Sequence, residues 1–433
     1  MSGISNPLQA PNEAQGAACG PADGGQEQVL TLDEAVAYAS LLHRRGDLDE
    51  AEAIYREVLA RREDHPDCLH FLGILMHQRG DDAAAETLIR ASIERVANPA
   101  GQWNNLGNVF VESGRLDAAL TCYESSLQAQ PDGLDAWNNL ATLYRSLGRI
   151  QDSVDAACRV VTLDPRHQGA RRLLGYAYSR LGQTDQAIAV YREWLAQEPD
   201  SPVARHLLAA CLGEMPERAS DAFVQITFDA FADSFDQKLE KLHYQAPGLV
   251  AEALIKALGG AAGPFDILDA GCGTGLCGPL LRPLAKRLTG VDLSGAMLTK
   301  AKARQAYDVL HLAELCAYLH HFPASFDAVI SADTLCYFGD LAPVAQAAAV
   351  ALKGPGVLVF TVEALAAPPE EGVPYRLAQH GRYTHSPDYV AQVLAAAGFS
   401  AEGLEAVILR REGGVPVEGW LVTARRCASG GDQ

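Results

Sequence analysis

The residues with the clearest capacity for chemistry lie between Ile267 and Gly275, where the chain reads Ile-Leu-Asp-Ala-Gly-Cys-Gly-Thr-Gly. An apolar run typical of a strand leads into glycines at three alternate positions, Gly271, Gly273 and Gly275. Such a turn has almost no side chains, so a ligand can approach its backbone closely. Leucines at helical spacing follow, and we expect a helix to begin there with its unpaired N–H groups facing the ligand.

The spacing of these glycines differs from that of a turn that binds a dinucleotide. A dinucleotide-binding turn has the pattern Gly-x-Gly-x-x-Gly, whereas here the third glycine follows the second by two residues. A second apolar run ends in Asp292, roughly 20 residues past the loop, where ribose hydroxyls need an acceptor. The alternative interpretation is a glycine turn and a surface aspartate in an unrelated α/β domain.

The glycine turn and Asp292 together resemble motif I of the Rossmann-like class I S-adenosylmethionine-dependent methyltransferases. The resemblance implies that the turn approaches the methionine part of S-adenosylmethionine, that Asp269 supports its ammonium group and that Asp292 holds the ribose hydroxyls. Glu314, which follows the third predicted strand, would meet the adenine. The remaining cofactor contacts expected from the resemblance are Cys272, Leu293, Asp333 and Tyr244.

The chain after residue 214 alternates between strand-like and helix-like segments and ends in a hairpin over residues 404–409 and 420–423. This pattern predicts a doubly wound α/β domain with a mostly parallel seven-stranded sheet and a C-terminal antiparallel hairpin. Ligands of open parallel sheets collect at the carboxyl ends of the strands. Asp333, Thr334 and Tyr337 follow the fourth strand, so we expect cofactor and methyl acceptor to meet there.

A long segment from Ala364 to Pro387, rich in Pro, Gly and charge, interrupts that alternation and predicts a lid or specificity loop. Its run Gly381-Arg-Tyr-Thr-His-Ser resembles an active-site segment of methyltransferases fused to tetratricopeptide repeats. His385 is our candidate proton acceptor, with Tyr383 and Tyr337 as further catalytic candidates. Arg382 could hold an acidic substrate. The alternative is that these side chains only pack the loop.

A lead-in segment before the sheet, Phe228 to Asp236, has aromatic residues at helical spacing. In the same fused methyltransferases the equivalent segment packs over the cofactor as a lid. A helix facing the core is the alternative, and we favour it for Phe231 and Phe235.

Residues 29–213 form a repeat region, because five glycines recur every 34 residues: Gly46, Gly80, Gly114, Gly148 and Gly182. That period predicts five tetratricopeptide repeats of paired helices, followed by a capping helix from Val203 to Leu212. Asn105, Asn108 and Asn139 resemble the concave face on which this family binds an extended peptide. A solvated polar helix face is the alternative.

Composition narrows the function further. The chain has 433 residues and a net charge of −19, which argues against broad binding to nucleic acid or anionic membranes. Ten scattered cysteines predict neither a disulfide framework nor a metal site. Without a signal sequence or membrane span we expect a cytoplasmic protein. We predict disorder over residues 1–28, a methyltransferase domain over 214–427 and a flexible tail over 428–433.

These observations predict methyl transfer to a small-molecule acceptor, with the repeats recruiting a protein partner or substrate. The segment Ala332-Asp-Thr-Leu335 lacks the Asn/Asp-Pro-Pro-aromatic run of enzymes that methylate exocyclic amines of bases. Two alternatives stay open. The chain could be a protein methyltransferase whose substrate is bound by the repeats, or an interaction scaffold whose methyltransferase-like domain binds cofactor without catalysis.

Overall fold

The computed structural model describes residues 30–260, 263–365, 372–412 and 414–427. The segments predicted to be disordered, 1–28 and 428–433, lie outside the described residues. The chain divides into two compact units, one that ends at Leu174 and one that begins at Gly175.

The repeat region consists of helices that come in pairs, one pair to each 34-residue period. The pairs are α1 Leu32–Arg45 and α2 Leu48–Arg61, α3 Pro66–Gln78 and α4 Asp82–Ile93, α5 Ala100–Glu112 and α6 Leu116–Ala129, α7 Leu134–Ser146 and α8 Ile150–Leu163, and α9 Gln168–Arg180 and α10 Thr184–Gln197. A further helix, α11 Pro202–Leu212, follows them. These five helix pairs and the further helix lie where the sequence predicts five repeats and a capping helix.

The periodic glycines have a structural cause. Each lies in the turn between the two helices of a pair and has a positive φ, between 71° and 89°, a conformation that glycine adopts without strain. The small residues inside the helices serve close packing. A Cβ on Gly107 would lie 2.5 Å from the ring of Tyr123, and Ala119 is completely buried.

The second unit contains one mixed nine-stranded sheet. Its strands are β1 Phe265–Ala270, β2 Ala285–Asp292, β3 Val309–Leu312, β4 Phe326–Ser331, β5 Leu352–Ala364, β6 Tyr375–Leu377, β7 Tyr383–His385, β8 Phe399–Glu412 and β9 Val415–Arg426. Strands β3, β2, β1, β4 and β5 are adjacent and parallel. Strand β9 joins β5 antiparallel and pairs with β8. This arrangement confirms the predicted α/β sheet with its C-terminal hairpin. The described residues form nine strands and not the predicted seven, because β6 and β7 add a short hairpin beside β5.

The helices after α11 are α12 Asp221–Asp229, α13 Phe235–Lys241, α14 Ala246–Ala257, α15 Gly278–Leu281, α16 Gly295–Ala303, α17 Leu315–His321, α18 Ala342–Ala351 and α19 Pro387–Ala396. Helices pack on both faces of the sheet, as expected for parallel strands with an apolar middle. Along β1, Leu268 packs in a core with α17, α18 and α19. Its neighbour Ile267 packs in a core with α14 and α15.

Two features differ from the prediction. The helix after the glycine turn, α15, has only four residues, because β2 begins at Ala285, immediately after the turn that follows α15. The segment over 364–387, predicted to be a loop, contains the short antiparallel hairpin of β6 and β7. No helix in the described part of the chain is long and apolar enough to cross a bilayer.

Candidate functional site

The glycine turn forms an open cradle at the carboxyl end of β1. Gly271, Gly273 and Gly275 have φ values of 78°, 53° and 84°, so all three adopt the left-handed conformation that favours glycine. A Cβ on Gly271 would lie 2.2 Å from Thr334 Oγ1, whereas a Cβ on Gly273 would meet no atom within 4 Å. The turn thus packs against Thr334 on one side and leaves space above Gly273.

Asp269 lies on β1 just before this cradle, with its side chain 1% exposed. Its Oδ2 accepts a hydrogen bond from the Tyr307 hydroxyl at 2.6 Å. Its Oδ1 is buried and has no hydrogen-bond partner among the described residues. Burial raises the pKa of Asp269 to about 7, although the hydrogen bond from Tyr307 opposes the shift. A buried carboxylate oxygen without a donor is costly, and an ammonium group from a ligand would satisfy it.

Asp292 ends β2 and closes the cradle from the other side. Its Oδ2 accepts the N–H of Gly273 and its Oδ1 accepts the N–H of Ser294, both at 2.9 Å. Burial raises its pKa. The side chain is half-buried, so its remaining lone pairs can accept hydroxyl groups. Leu293 beside it is also half-buried, and Cys272 is buried.

The lead-in segment covers this cradle through polar contacts. Asp236 of α13 accepts hydrogen bonds from Thr274 Oγ1, at 2.5 Å, and from Arg304. Asp229 of α12 accepts one from Ser294. Phe231 and Phe235 are only half-buried, so the core-facing helix that we favoured for them is not what the structure has. The lid arrangement agrees better with these contacts.

Glu314 follows β3, as predicted, but both of its carboxylate oxygens already have partners. One accepts the N–H of Ala317 at 2.7 Å, which caps α17, and the other lies 3.3 Å from Arg218 Nη1. The contact between Glu314 and adenine therefore stays a prediction.

A buried ionic cluster lies beyond the cradle, where β4, β5 and β8 meet. Arg410 of β8 donates to Asp333 Oδ2 at 2.7 Å, to Glu412 Oε1 at 2.9 Å and to Glu363. Arg382 donates to Glu363 and, at 2.7 Å, to Glu412. Burial disfavours the charge on Glu363, but Arg382 and Arg410 outweigh it and lower its pKa to about 2. Sequence reasoning missed Arg410 and Glu363.

This cluster changes the role expected for Arg382. Its guanidinium group is already paired with Glu363 and Glu412, so it is not available as the predicted free anchor for an acidic substrate. The carboxylates of Asp333 and Glu363 and the Cys336 thiol do lie within 4.8 Å of one another. Arg410 donates to both carboxylates, however, so a guanidinium group, and not a metal ion, matches their charge.

The predicted catalytic residues of the β6–β7 hairpin are buried. His385 has no exposed surface, and its Nε2 lies 3.1 Å from the carbonyl oxygen of Gly339. Burial lowers its pKa to about 4, which makes it a weak base at neutral pH. Tyr383 is also fully buried. The geometry gives both residues packing roles and no support as catalysts.

Thr334, Asp333 and Tyr337 do lie together after β4, as predicted. Thr334 Oγ1 donates to the carbonyl oxygen of Gly271 at 3.1 Å. Tyr337 is half-buried and its ring lies 5.4 Å from that of Phe228 in the lead-in segment. Tyr244 is half-buried, and the charge of Asp333 adds to the effect of burial in raising its pKa. The contact of these residues with a methyl acceptor stays a prediction.

The asparagines predicted to bind a partner are engaged inside the repeats. Asn105 Nδ2 lies 2.9 Å from His70 Nε2. Asn139 Nδ2 donates to Asn104 Oδ1 at 3.0 Å and to Asn108 Oδ1 at 3.1 Å. Asn105 and Asn139 are nearly buried, at 7% and 8% exposure. They stabilise contacts between neighbouring repeats, and their contact with a partner stays a prediction.

Comparison with known proteins assigns the two parts of the chain. A methyltransferase domain model matches residues 268–360. A model of the middle TPR-like domain of cilia and flagella-associated protein 70 matches residues 26–163, and a tetratricopeptide repeat model matches residues 168–211.

Three curated proteins are similar to the methyltransferase part. Methyltransferase-like protein 27 of Homo sapiens is 40% identical over 105 residues, 24% of this chain and 43% of that protein. The 18S rRNA (guanine-N(7))-methyltransferase of Bos taurus is 38% identical over 68 residues, 16% of this chain and 24% of that protein. The malonyl-[acyl-carrier protein] O-methyltransferase of Acetivibrio thermocellus is 35% identical over 99 residues, 22% of this chain and 35% of that protein. The matched region thus spans less than half the length of each relative.

Proposed function

We propose that this chain, in which a methyltransferase domain follows tetratricopeptide repeats, methylates a small-molecule acceptor. S-adenosylmethionine is the cofactor of this domain and supplies the methyl group. The observation that carries the proposal is the unpartnered Oδ1 of Asp269 beside the open space above Gly273. Asp269 would receive the ammonium group of the cofactor and Asp292 its ribose hydroxyls.

Methyl transfer from S-adenosylmethionine requires the protein mainly to hold the acceptor in position. The sulfonium group already carries its leaving group, so an acceptor held in line with the methyl group reacts without strong acid or base catalysis. A site with two half-buried tyrosines, Tyr244 and Tyr337, and with paired charges suits that requirement, and His385 is buried away from it.

Two observations favour a small acceptor. The lead-in segment lies across the cradle through Asp229 and Asp236, which restricts the entry of a large substrate. The segment after β4 contains no paired prolines of the kind expected for methylation of nucleic-acid bases. The names of the relatives include both an RNA and an acyl-carrier-protein substrate. The relatives therefore do not indicate which class of acceptor this chain methylates.

We further propose that the repeats bind a protein partner or substrate. The support is the match of two tetratricopeptide models to this region. Pull-down with the full chain should capture a partner that Asn108→Ala loses. Of the three predicted asparagines, Asn108 is the one whose side chain is half-buried. Its Oδ1 also accepts hydrogen bonds from the Tyr123 hydroxyl at 2.7 Å and from Asn139, so thermal unfolding of the variant is measured beside the pull-down. If Asn108→Ala captures as much of the partner as the wild-type chain does, the partner does not bind through these asparagines.

Isothermal titration tests the cofactor assignment. We expect the protein to bind S-adenosylmethionine and S-adenosylhomocysteine, but not NAD, and Asp292→Ala to abolish binding. Gly273→Ala should also abolish it, because the new methyl group would occupy the open space of the cradle.

Gly114→Ala is the matched control. It places alanine at a similar positive φ of 76°, also with no atom within 4 Å of the new Cβ. It should cost about 1 kcal/mol of stability and leave cofactor binding unchanged. Binding of NAD alone, or equal loss of binding in both variants, would contradict the proposal. Labelled-methyl transfer to a panel of acceptors then distinguishes an enzyme from a scaffold that only binds the cofactor.

A further inference from the structure

Asp333 has one carboxylate oxygen that the fold leaves unused. The residue has φ +55°, its N–H is held by Thr361 Oγ1 at 2.9 Å, and its Oδ2 is held by Arg410 at 2.7 Å. Its Oδ1 is buried without a hydrogen-bond partner among the described residues. Two hydrogen bonds and a fixed backbone angle thus orient a buried acceptor atom that lacks a donor, next to the turn that follows β4.

The charges around this oxygen do not balance. Three carboxylates, Asp333, Glu363 and Glu412, face two guanidinium groups, Arg382 and Arg410, each of which already donates to at least two of them. His380 adds no positive charge near neutral pH, because burial and Arg382 lower its pKa to about 4. Burial raises the pKa of Asp333, and the ion pair with Arg410 opposes that shift. With Asp333 ionised in this pair, the cluster carries one excess negative charge. A carboxylate acceptor would be repelled here, whereas an amine would be attracted.

We propose that Asp333 Oδ1 receives an N–H group of the methyl acceptor and that the acceptor is an amine. This inference rests on the proposed function and names the substrate class of the same site. The nitrogen lone pair forms a bond to the methyl carbon, and the carbon–sulfur bond breaks with its electron pair returning to sulfur. The N–H proton leaves through Asp333 to water.

Sinefungin is a suitable probe, because it carries an amino group on carbon in place of the sulfonium methyl of S-adenosylmethionine. We expect the full-length protein to bind sinefungin about tenfold more tightly than S-adenosylhomocysteine in titration calorimetry, owing to a charge-assisted hydrogen bond to Asp333. In Asp333→Asn the two ligands should bind with affinities within about twofold of each other, since the carboxylate charge is gone. The quantity measured is the ratio of the two affinities, so any contact of Asp333 with the part that the two ligands share cancels.

Asp327→Asn is the matched control. Asp327 lies at the opposite end of the same strand, paired with Lys353 at 2.9 Å, so the preference for sinefungin should survive its replacement. Asp333→Ser provides a second variant if Asp333→Asn does not fold. Equal binding of the two ligands to the wild-type protein, or an unchanged preference in either Asp333 variant, would overturn the inference. Failure of S-adenosylhomocysteine to bind the wild-type protein would instead overturn the proposed function.

Discussion

Asp269 should couple cofactor binding to pH. Burial raises its pKa to about 7 in the free protein, and the ammonium group of the cofactor pairs best with the ionised carboxylate. Below pH 7 the carboxyl group must lose a proton before it can accept the ammonium, so the dissociation constant should increase by up to about tenfold per pH unit. Above pH 7 it should be nearly constant.

Calorimetry in two buffers of different ionisation enthalpy checks this expectation. Binding at pH 6 should release about one proton, and binding at pH 8.5 almost none. Asp269→Asn should remove the pH dependence and weaken binding at pH 8.5 by roughly 10- to 100-fold, the range of a charged hydrogen bond. A wild-type dissociation constant that is flat from pH 6 to 8.5 would contradict the role of Asp269.

For individual residues, the sequence predicts the glycine turn well and the surroundings of Asp333 and His385 poorly, for a physical reason. Gly271, Gly273 and Asp269 lie within a few residues of one another, so their spacing alone indicates the turn. Arg410 contacts Asp333 across 77 residues, and no local pattern marks it. For His385 the sequence suggests a role that the structure does not support. A histidine can act as a base, but elements far along the chain bury this one.

Among the elements, the β6–β7 hairpin was missed because its strands have three residues each, too few to show a period of two. The hairpin is anchored from outside the sheet, by α11. His206 Nε2 lies 2.9 Å from the carbonyl oxygen of Gly381. Burial lowers the pKa of His206, so the neutral ring donates this hydrogen bond. Gly381 directly precedes Arg382, so α11 helps to position the ionic cluster.

Replacement of His206 should therefore loosen the hairpin. In His206→Leu the Gly381 carbonyl loses its donor, which costs about 1–2 kcal/mol. Amide hydrogen exchange over residues 378–385 should accelerate by roughly 5- to 30-fold. Arg205→Leu is the control on the same helix, because Arg205 is exposed and its side chain donates to the carbonyl oxygen of Pro199, at 3.0 Å, and not to the β6–β7 hairpin. Equal exchange in the two variants would contradict the anchoring role.

For the whole molecule, the predicted start of the methyltransferase domain differs from the start of the compact unit that contains the sheet. Pro216 and the loss of helical periodicity place the predicted boundary near residue 213, whereas the compact unit that contains the sheet begins at Gly175. Leu207 of α11 packs in one apolar cluster with Phe223, Leu377 and Tyr383. The contacts of Leu207 with Leu377 and Tyr383 join segments about 170 residues apart. A boundary predicted from local composition cannot take such contacts into account.

Two fragments test which boundary the fold respects. A fragment that begins at Gln168, the first residue of α9, should unfold cooperatively and bind S-adenosylmethionine like the full chain. A fragment that begins at Glu214 should be less stable and prone to aggregation, because removal of α10 and α11 exposes the apolar surfaces of Phe223, Leu377 and Tyr383 to water. Thermal unfolding and calorimetry measure both properties. Equal melting temperatures and affinities in the two fragments would instead support the boundary at residue 213 and make α11 part of the repeat array alone.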